Sequence, residues 1–236
     1  MHIKEHIRIV EDIAGMFEVY LKNGVDTIIG CLTRDELVWR ACRLAEERTG
    51  KKIHHVELAI FDTDDTEEAR KSAEAVIKKC ADMGVEVCLP LHMVVERLVS
   101  KQARKIPRIE DYLYMIRENG MIPGLSAHMP EIITYADENS YDVETYVQIY
   151  NAIGFMMQVE IECVHQLIWR AKKPVLTIKP MAAGHLNPLV GINFSFATIR
   201  DMDMVAVGCM TAREAEETVE YARAAIERRR NLLRLF

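Results

Sequence analysis

The sequence predicts an α/β barrel of the TIM type, with seven clear parallel strands and an eighth that is short or absent. Short segments rich in Val, Ile and Leu recur along the chain, and each is followed by an amphipathic stretch. Successive segments begin about 30 residues apart, the length of one strand and one crossover helix. Strands apolar on both faces are typical of a parallel sheet covered by helices. Since no long linker interrupts the repeat, we expect residues 1–236 to form a single closed-barrel domain.

The predicted strands cover residues 25–30, 54–61, 85–91, 122–127, 145–151, 174–179 and 204–209. Helices are predicted over residues 7–22, 36–49, 66–83, 107–119 and 211–235. Gly50, Gly84 and Gly120 each follow a predicted helix directly, which is typical of helix C-termini. Residues 211–214 (TARE) have the pattern of a capping box. Residues 2–4 are the candidate for a short eighth strand; the alternative is a barrel that is open there, with a second copy of the chain covering the exposed edges.

Composition and charge narrow the class of function. The net charge of −6 without a basic stripe argues against a nucleic-acid partner. No apolar run reaches the ~20 residues that span a bilayer, and the first residues lack a signal-peptide core, so no membrane partner is expected. The six cysteines form no CxxC pair and indicate reduced thiols in a cytoplasmic protein. The expected partners are a small-molecule ligand and further copies of the chain.

Several motifs occur in a fixed order along the chain. They are GVDT at 24–27, Leu91-His92, IPGLSAH at 122–128, YVQIYN at 146–151, KPVLTIKPMAAG at 173–184, and VAVG at 205–208 followed by TARE at 211–214. This collinear set resembles the motifs of the aldo/keto reductase superfamily over some 190 residues. The resemblance implies a TIM barrel that binds NADP(H) and reduces a carbonyl group.

The catalytic tetrad of that family is only partly matched. The family uses Asp, Tyr, Lys and His; Asp26 and His92 match the first and last of these. The Tyr position falls on Cys31, whose thiol is the remaining proton donor there, and the Lys position falls on the apolar residues Ala59 or Ile60. The resemblance therefore implies ancestry and fold more strongly than carbonyl reduction.

Of the family's residues that contact the nicotinamide ring, only some are matched in this sequence. Ser126 and Gln148 match residues that bind the nicotinamide ring, whereas Ala127 stands at the family's Asn. The stacking aromatic is replaced by Ile178. The resemblance further implies that cofactor phosphates bind the loop that holds two matching residues, Gly208 and Thr211.

A separate argument starts from the strand ends, because barrel enzymes place catalytic groups there. The polar residues at predicted strand ends are Cys31, Asp62, His92, His128, Asn151, Lys179, His185 and Thr211. His92 and His128 end successive strands, so with a carboxylate such as Glu57 or Asp62 they are candidates to hold a divalent metal. The alternative is a hydrogen-bonded histidine pair. Lys179 is either a functional amine, including a Schiff-base nucleophile, or an ordinary ion-paired lysine.

Three functions stay open at this point. The first is a reductase-like enzyme for a small carbonyl or phosphorylated metabolite, with acid–base groups drawn from Asp26, Cys31, His92 and Lys179. The second is a metal-dependent hydrolase or lyase built on His92 and His128. The third is a relative that binds a metabolite without catalysis.

Overall fold

The structure, a computed structural model, describes residues 10–233 and the side chains of residues 10–229. Seven strands are found in this part of the chain: β1 (Thr27–Gly30), β2 (His54–Ala59), β3 (Val87–Pro90), β4 (Ile122–Ala127), β5 (Thr145–Ile149), β6 (Val175–Ile178) and β7 (Met204–Val205). The α-helices are α1 (Val10–Lys22), α2 (Glu36–Thr49), α3 (Glu67–Asp82), α4 (His92–Leu98), α5 (Ile109–Glu118), α6 (Glu131–Asn139), α7 (Ile161–Arg170), α8 (Pro188–Thr198) and α9 (Ala212–Leu233).

All seven strands are parallel and pair in chain order, from β1 to β7. This is the order of a TIM-type barrel, so the predicted fold class is confirmed. β1 and β7 are the two outer strands and do not pair with each other. The predicted eighth strand, residues 2–4, lies outside the described residues.

The interior of the curled sheet is filled by alternate strand residues. One buried cluster consists of Val56, Leu89, Val147 and Leu176. The partly buried residues packed against it are Ile29, Leu58, Val87, Ile178 and Ala206. A methyl group at Gly124 would lie 2.7 Å from the backbone oxygen of Thr145 and 2.9 Å from Leu89 Cδ2. Glycine at 124 therefore lets the side chains of neighbouring strands close the interior.

The intervening strand residues face the helices and form the larger core.

Helix termini are fixed by the expected capping groups: the Asp35 carboxylate accepts hydrogen bonds from Leu37 N and Val38 N at the start of α2. Gly50 ends the same helix with a φ of 66°. At the start of α9, Thr211 Oγ1 accepts from Glu214 N at 3.2 Å, and the Glu214 carboxylate accepts from the preceding Met210 N at 2.6 Å.

The predicted element bounds agree with the structure to within a few residues, except that β7 is much shorter than the predicted 204–209. Four helices were not predicted, namely α4, α6, α7 and α8. The predicted helix over 7–22 is present from Val10, and its first three residues lie outside the described part. Within residues 10–233, no helix combines the length and the apolar character that crossing a bilayer requires.

Candidate active site

Three basic side chains stand at the C-terminal ends of the strands. His92 follows β3, His128 follows β4 and Lys179 follows β6. The two imidazole rings are stacked, with centroids 3.8 Å apart and planes 14° from parallel. His92 and His128 therefore lie together, as their positions at the ends of successive strands predicted.

Glu96 on α4 positions this histidine pair. One oxygen of its carboxylate accepts hydrogen bonds from the backbone N–H of His128 at 2.5 Å and of Met129 at 2.9 Å. Because Glu96 lies one helical turn after His92, α4 ties the loop that carries His128 to the residue it stacks on. Glu96 was not among the predicted site residues, although its four-residue spacing from His92 is the signal that would have identified it.

The electrostatics of the pair favour neutral imidazoles. Partial burial lowers the pKa of His92 below its ordinary value, Glu96 opposes this, and the charge of Lys179 lowers it further. Burial also lowers the pKa of His128; the neighbouring His92 and Lys179 act in the same direction, and Glu96 opposes them. Both rings are thus uncharged at neutral pH and able to accept a proton.

The Lys179 ammonium lacks a carboxylate partner within the described residues. Its Nζ lies 3.1 Å from the thioether sulfur of Met156, which is a weak acceptor. The side chain is half-buried. The mouth of the barrel therefore carries the Lys179 ammonium, which has no ion pair within the described residues, and the Glu96 carboxylate beside the two neutral bases.

The backbone at the mouth is strained. Of the non-glycine residues with positive φ in the described chain, four follow β5 and β6: Met156, Lys179, Ala182 and Ala183. Such conformations cost of order 1–3 kcal/mol each and cluster at functional sites. Their concentration around Lys179 supports this end of the barrel as the site.

The loops after β5 and β6 hold each other in place. The Asn151 side chain is buried, donates to Phe155 O at 3.0 Å and accepts from Phe155 N at 2.8 Å. The Phe155 ring lies 5.3 Å from that of His185, measured between centroids. These contacts, together with that between Met156 and Lys179, join the two loops.

Two predicted catalytic residues do not join this site. Asp26 precedes β1 and is exposed, so it lies at the opposite end of the barrel, where it accepts a hydrogen bond from Thr27 Oγ1 at 3.1 Å. Cys31 follows β1 at the correct end. Burial raises the pKa of its thiol, and the nearby Glu57 raises it further, so the thiol is protonated. Glu57 itself faces the helices and accepts from Thr33 N and Oγ1 at 3.0 and 2.9 Å.

The residues matched to nicotinamide contacts present no ligand-binding surface. Gln148 alternates with the interior residue Val147, so its side chain faces the helix layer; it is fully buried, and its Oε1 has no partner. Ser126 is also buried, at 2 % exposure. Gly208 and Thr211 are exposed, but the Glu214 carboxylate already binds a backbone amide at the start of α9 and would repel a phosphate. The described residues therefore fit NADP(H) poorly.

The histidine pair is also a poor metal site. A ring nitrogen directs its lone pair within the ring plane, and two nearly parallel planes 3.8 Å apart do not converge on one ion. Asp62, one of the two carboxylates predicted to complete the metal site, is ion-paired with Arg97 at 3.5 Å. Within the described residues, no group of three His, Cys, Asp or Glu side chains is arranged to hold a metal ion.

A groove of about 710 Å³ runs along the gap between β1 and β7. Its walls come from α1 and α9, and most of its lining is apolar. Its polar contacts include a hydrogen bond from the Tyr20 hydroxyl to Cys209 Sγ at 2.8 Å. The groove occupies the place of an eighth strand and does not include His92, His128 or Lys179.

Comparison with solved structures supports the fold. A structure titled "Putative aldo-keto reductase from Pseudomona aeruginosa" matches with a TM-score of 0.64 and 16% identity, over 93% of this chain and 85% of that one. A second structure with that description from the same organism gives 0.66 and 15%, over 96% and 85%. The BexX/CysO complex of Amycolatopsis orientalis gives 0.59 and 11%, over 98% and 89%. No protein-family model and no curated protein matches the sequence. The chain thus has an aldo/keto reductase-like barrel fold.

Proposed function

We propose that this protein is an enzyme that moves a proton at the carbon next to the carbonyl group of a small anionic metabolite. The observation that carries the proposal is the pairing of two neutral, stacked imidazoles with the unpaired Lys179 ammonium at the strand ends. Removing such a proton requires a base that is neutral at working pH and a positive charge for the developing enolate oxygen. The mouth supplies both.

The proposed reaction conserves atoms and electrons. A neutral imidazole of the pair removes the proton, and the C–H electron pair forms the enolate, whose oxygen is stabilised by the Lys179 ammonium. The imidazolium then returns the proton to the same carbon. Because a charge on one ring disfavours a charge on the other, the pair takes up one proton at a time.

The assay for this function is deuterium exchange, which needs no knowledge of the product. The protein is incubated in D₂O with pyruvate or with dihydroxyacetone phosphate, and loss of the exchangeable proton signal is followed by NMR. We expect exchange above the uncatalysed rate with at least one probe, and the better probe identifies the anion as a carboxylate or a phosphate. His92→Asn, His128→Asn and Lys179→Met each reduce the rate by about 10²-fold or more.

Lys78→Met is the matched control for the lysine variant. Lys78 is exposed on α3 and pairs with Asp82 at 3.2 Å, away from the mouth. The control should keep the wild-type exchange rate. Equal rates for Lys78→Met and Lys179→Met, or no exchange with either probe, contradict the proposal.

Carbonyl reduction is the second candidate, because two structures of the same fold are described as aldo-keto reductases. This function needs a hydride donor. Titration of NADPH and NADH against the fluorescence of Trp39 and Trp169 tests it. Saturation in the micromolar range supports a reductase. No binding at millimolar cofactor, the result that buried Gln148 and Ser126 favour, excludes it.

A further inference from the structure

Exposed apolar side chains lie on the segments that follow the strands at the mouth. Met93, Ile153, Met156, Leu189 and Val190 are between 49% and 62% exposed, and we call these five residues the apolar rim. They belong to the segments that follow β3, β5 and β6, the same strands that place His92 and Lys179. The rim and the charged centre therefore share one face of the protein.

Direct contacts connect the rim to the charge. Met156 belongs to the rim, and its sulfur lies 3.1 Å from Lys179 Nζ. Met93 is the residue after His92 in the first turn of α4. The loop that bears Ile153 is anchored by Asn151 and reaches the loop after β6 through the contact of Phe155 with His185. An anion bound at Lys179 consequently has the Met156 side chain as a neighbour, and the other rim residues lie on segments that reach the same end of the barrel.

We infer that the substrate of the proposed site has an apolar tail as well as an anionic carbonyl head, as a straight-chain 2-oxo acid does. This inference rests on the proposed function and adds the substrate class. The positive centre selects a negatively charged head through charge complementarity, while the rim shields a hydrocarbon chain from water. Methionine, which supplies two of the five rim residues, adapts its shape to flexible chains.

The test measures how binding depends on chain length. The wild-type protein is titrated calorimetrically with pyruvate, 2-oxohexanoate and 2-oxooctanoate, and deuterium exchange is measured for each. We expect affinity to rise about two- to fourfold for each added methylene group that contacts the rim. Equal affinity for all three acids, with exchange still catalysed, overturns the apolar-tail inference and leaves the proposed function standing. No exchange with any of them counts against the proposed function itself.

A double variant assigns the effect to the rim. Ile153→Ser combined with Leu189→Ser removes two exposed side chains whose loss disturbs no core packing. We expect its affinity for 2-oxooctanoate to fall to its affinity for pyruvate, so that the dependence on chain length is lost. Met202→Ser, at 48% exposure in the turn before β7 and therefore at the other end of the barrel, is the control and should behave as wild type.

The same variants test whether a second copy of the chain, and not a substrate tail, covers the apolar rim. Sedimentation velocity compares the mass of wild type and of the double variant. A wild-type dimer that the double variant converts to a monomer, with no dependence on chain length, assigns the rim to self-association and refutes the inference. An unchanged mass together with lost chain-length dependence supports it.

Discussion

Replacing Lys179 by glycine tests whether the left-handed backbone at this residue stores strain that the functional side chain requires. Lys179 has a φ of 60°, where the Cβ of an L-residue crowds the following carbonyl oxygen at a cost of about 1–2 kcal/mol. Glycine removes that cost but loses more freedom on folding, which costs about 0.5–1 kcal/mol. The difference predicts that Lys179→Gly stabilises the fold by about 0.5–1 kcal/mol.

The assay is chemical denaturation in urea together with thermal unfolding. For a chain of this size, the predicted gain corresponds to a rise of about 1–4 °C in Tm. Lys78→Gly is the matched control, because Lys78 lies within α3, where glycine should destabilise by about 1 kcal/mol. Lys179→Met retains the strained backbone and removes the charge, so it should leave stability within about 0.5 kcal/mol of wild type.

Activity provides the second half of this test. Both Lys179→Gly and Lys179→Met should lose proton exchange, although one is stabilised and the other is not. That combination is what a strained functional residue predicts. If Lys179→Gly is destabilised to the same degree as Lys78→Gly, the left-handed backbone stores no strain and the reasoning is refuted.

Three further predictions concern the fold. Gly124→Ala should destabilise it by about 1–3 kcal/mol in urea melts, because the added methyl meets Thr145 O at 2.7 Å; an unchanged midpoint refutes this packing. Stability should fall as pH drops below 6.5, the ordinary histidine value. Burial lowers the folded-state pKa of His55, His92 and His128, so the unfolded chain takes up protons first; equal urea midpoints at pH 8 and pH 5.5 contradict this. Within residues 10–233 no strand covers the outer edges of β1 and β7, which predicts self-association, and sedimentation at the monomer mass of 27.1 kDa contradicts it.

Strands and their order followed from the sequence because buried parallel strands are continuous apolar runs. β4 begins and ends where the pattern predicted, and so does α2, which has both capping signals. α8 was missed because its residues are apolar on all sides, so it shows no amphipathic period. α4 was missed because it starts within two residues of the end of β3 and has only seven residues.

The site was predictable where topology alone determined it. Parallel strands all end on one face, which is why His92, His128 and Lys179 could be brought together without knowledge of their contacts. Asp26 failed to join them because its motif match took no account of where β1 begins; Thr27 is the first strand residue, so Asp26 is at the far end. The position of Met156 beside Lys179 depends on the path of an irregular loop, for which the sequence has no periodic signal.

The partial motif match and the proposed chemistry have a common structural explanation. The family's Tyr position is Cys31, whose thiol stays protonated, and its Lys position falls at Ala59 or Ile60, of which Ala59 is buried in the core against the helices. The Lys position therefore supplies no acid or base, and the raised pKa of the Cys31 thiol makes it a weak proton donor. His128, stacked on the retained His92, adds a proton-accepting group at the adjacent strand end. Since the residues matched to nicotinamide contacts are buried, the mouth presents the two imidazoles and the ammonium that the proposed proton transfer uses, whereas carbonyl reduction by the family's tetrad requires a Tyr and a Lys that these positions lack.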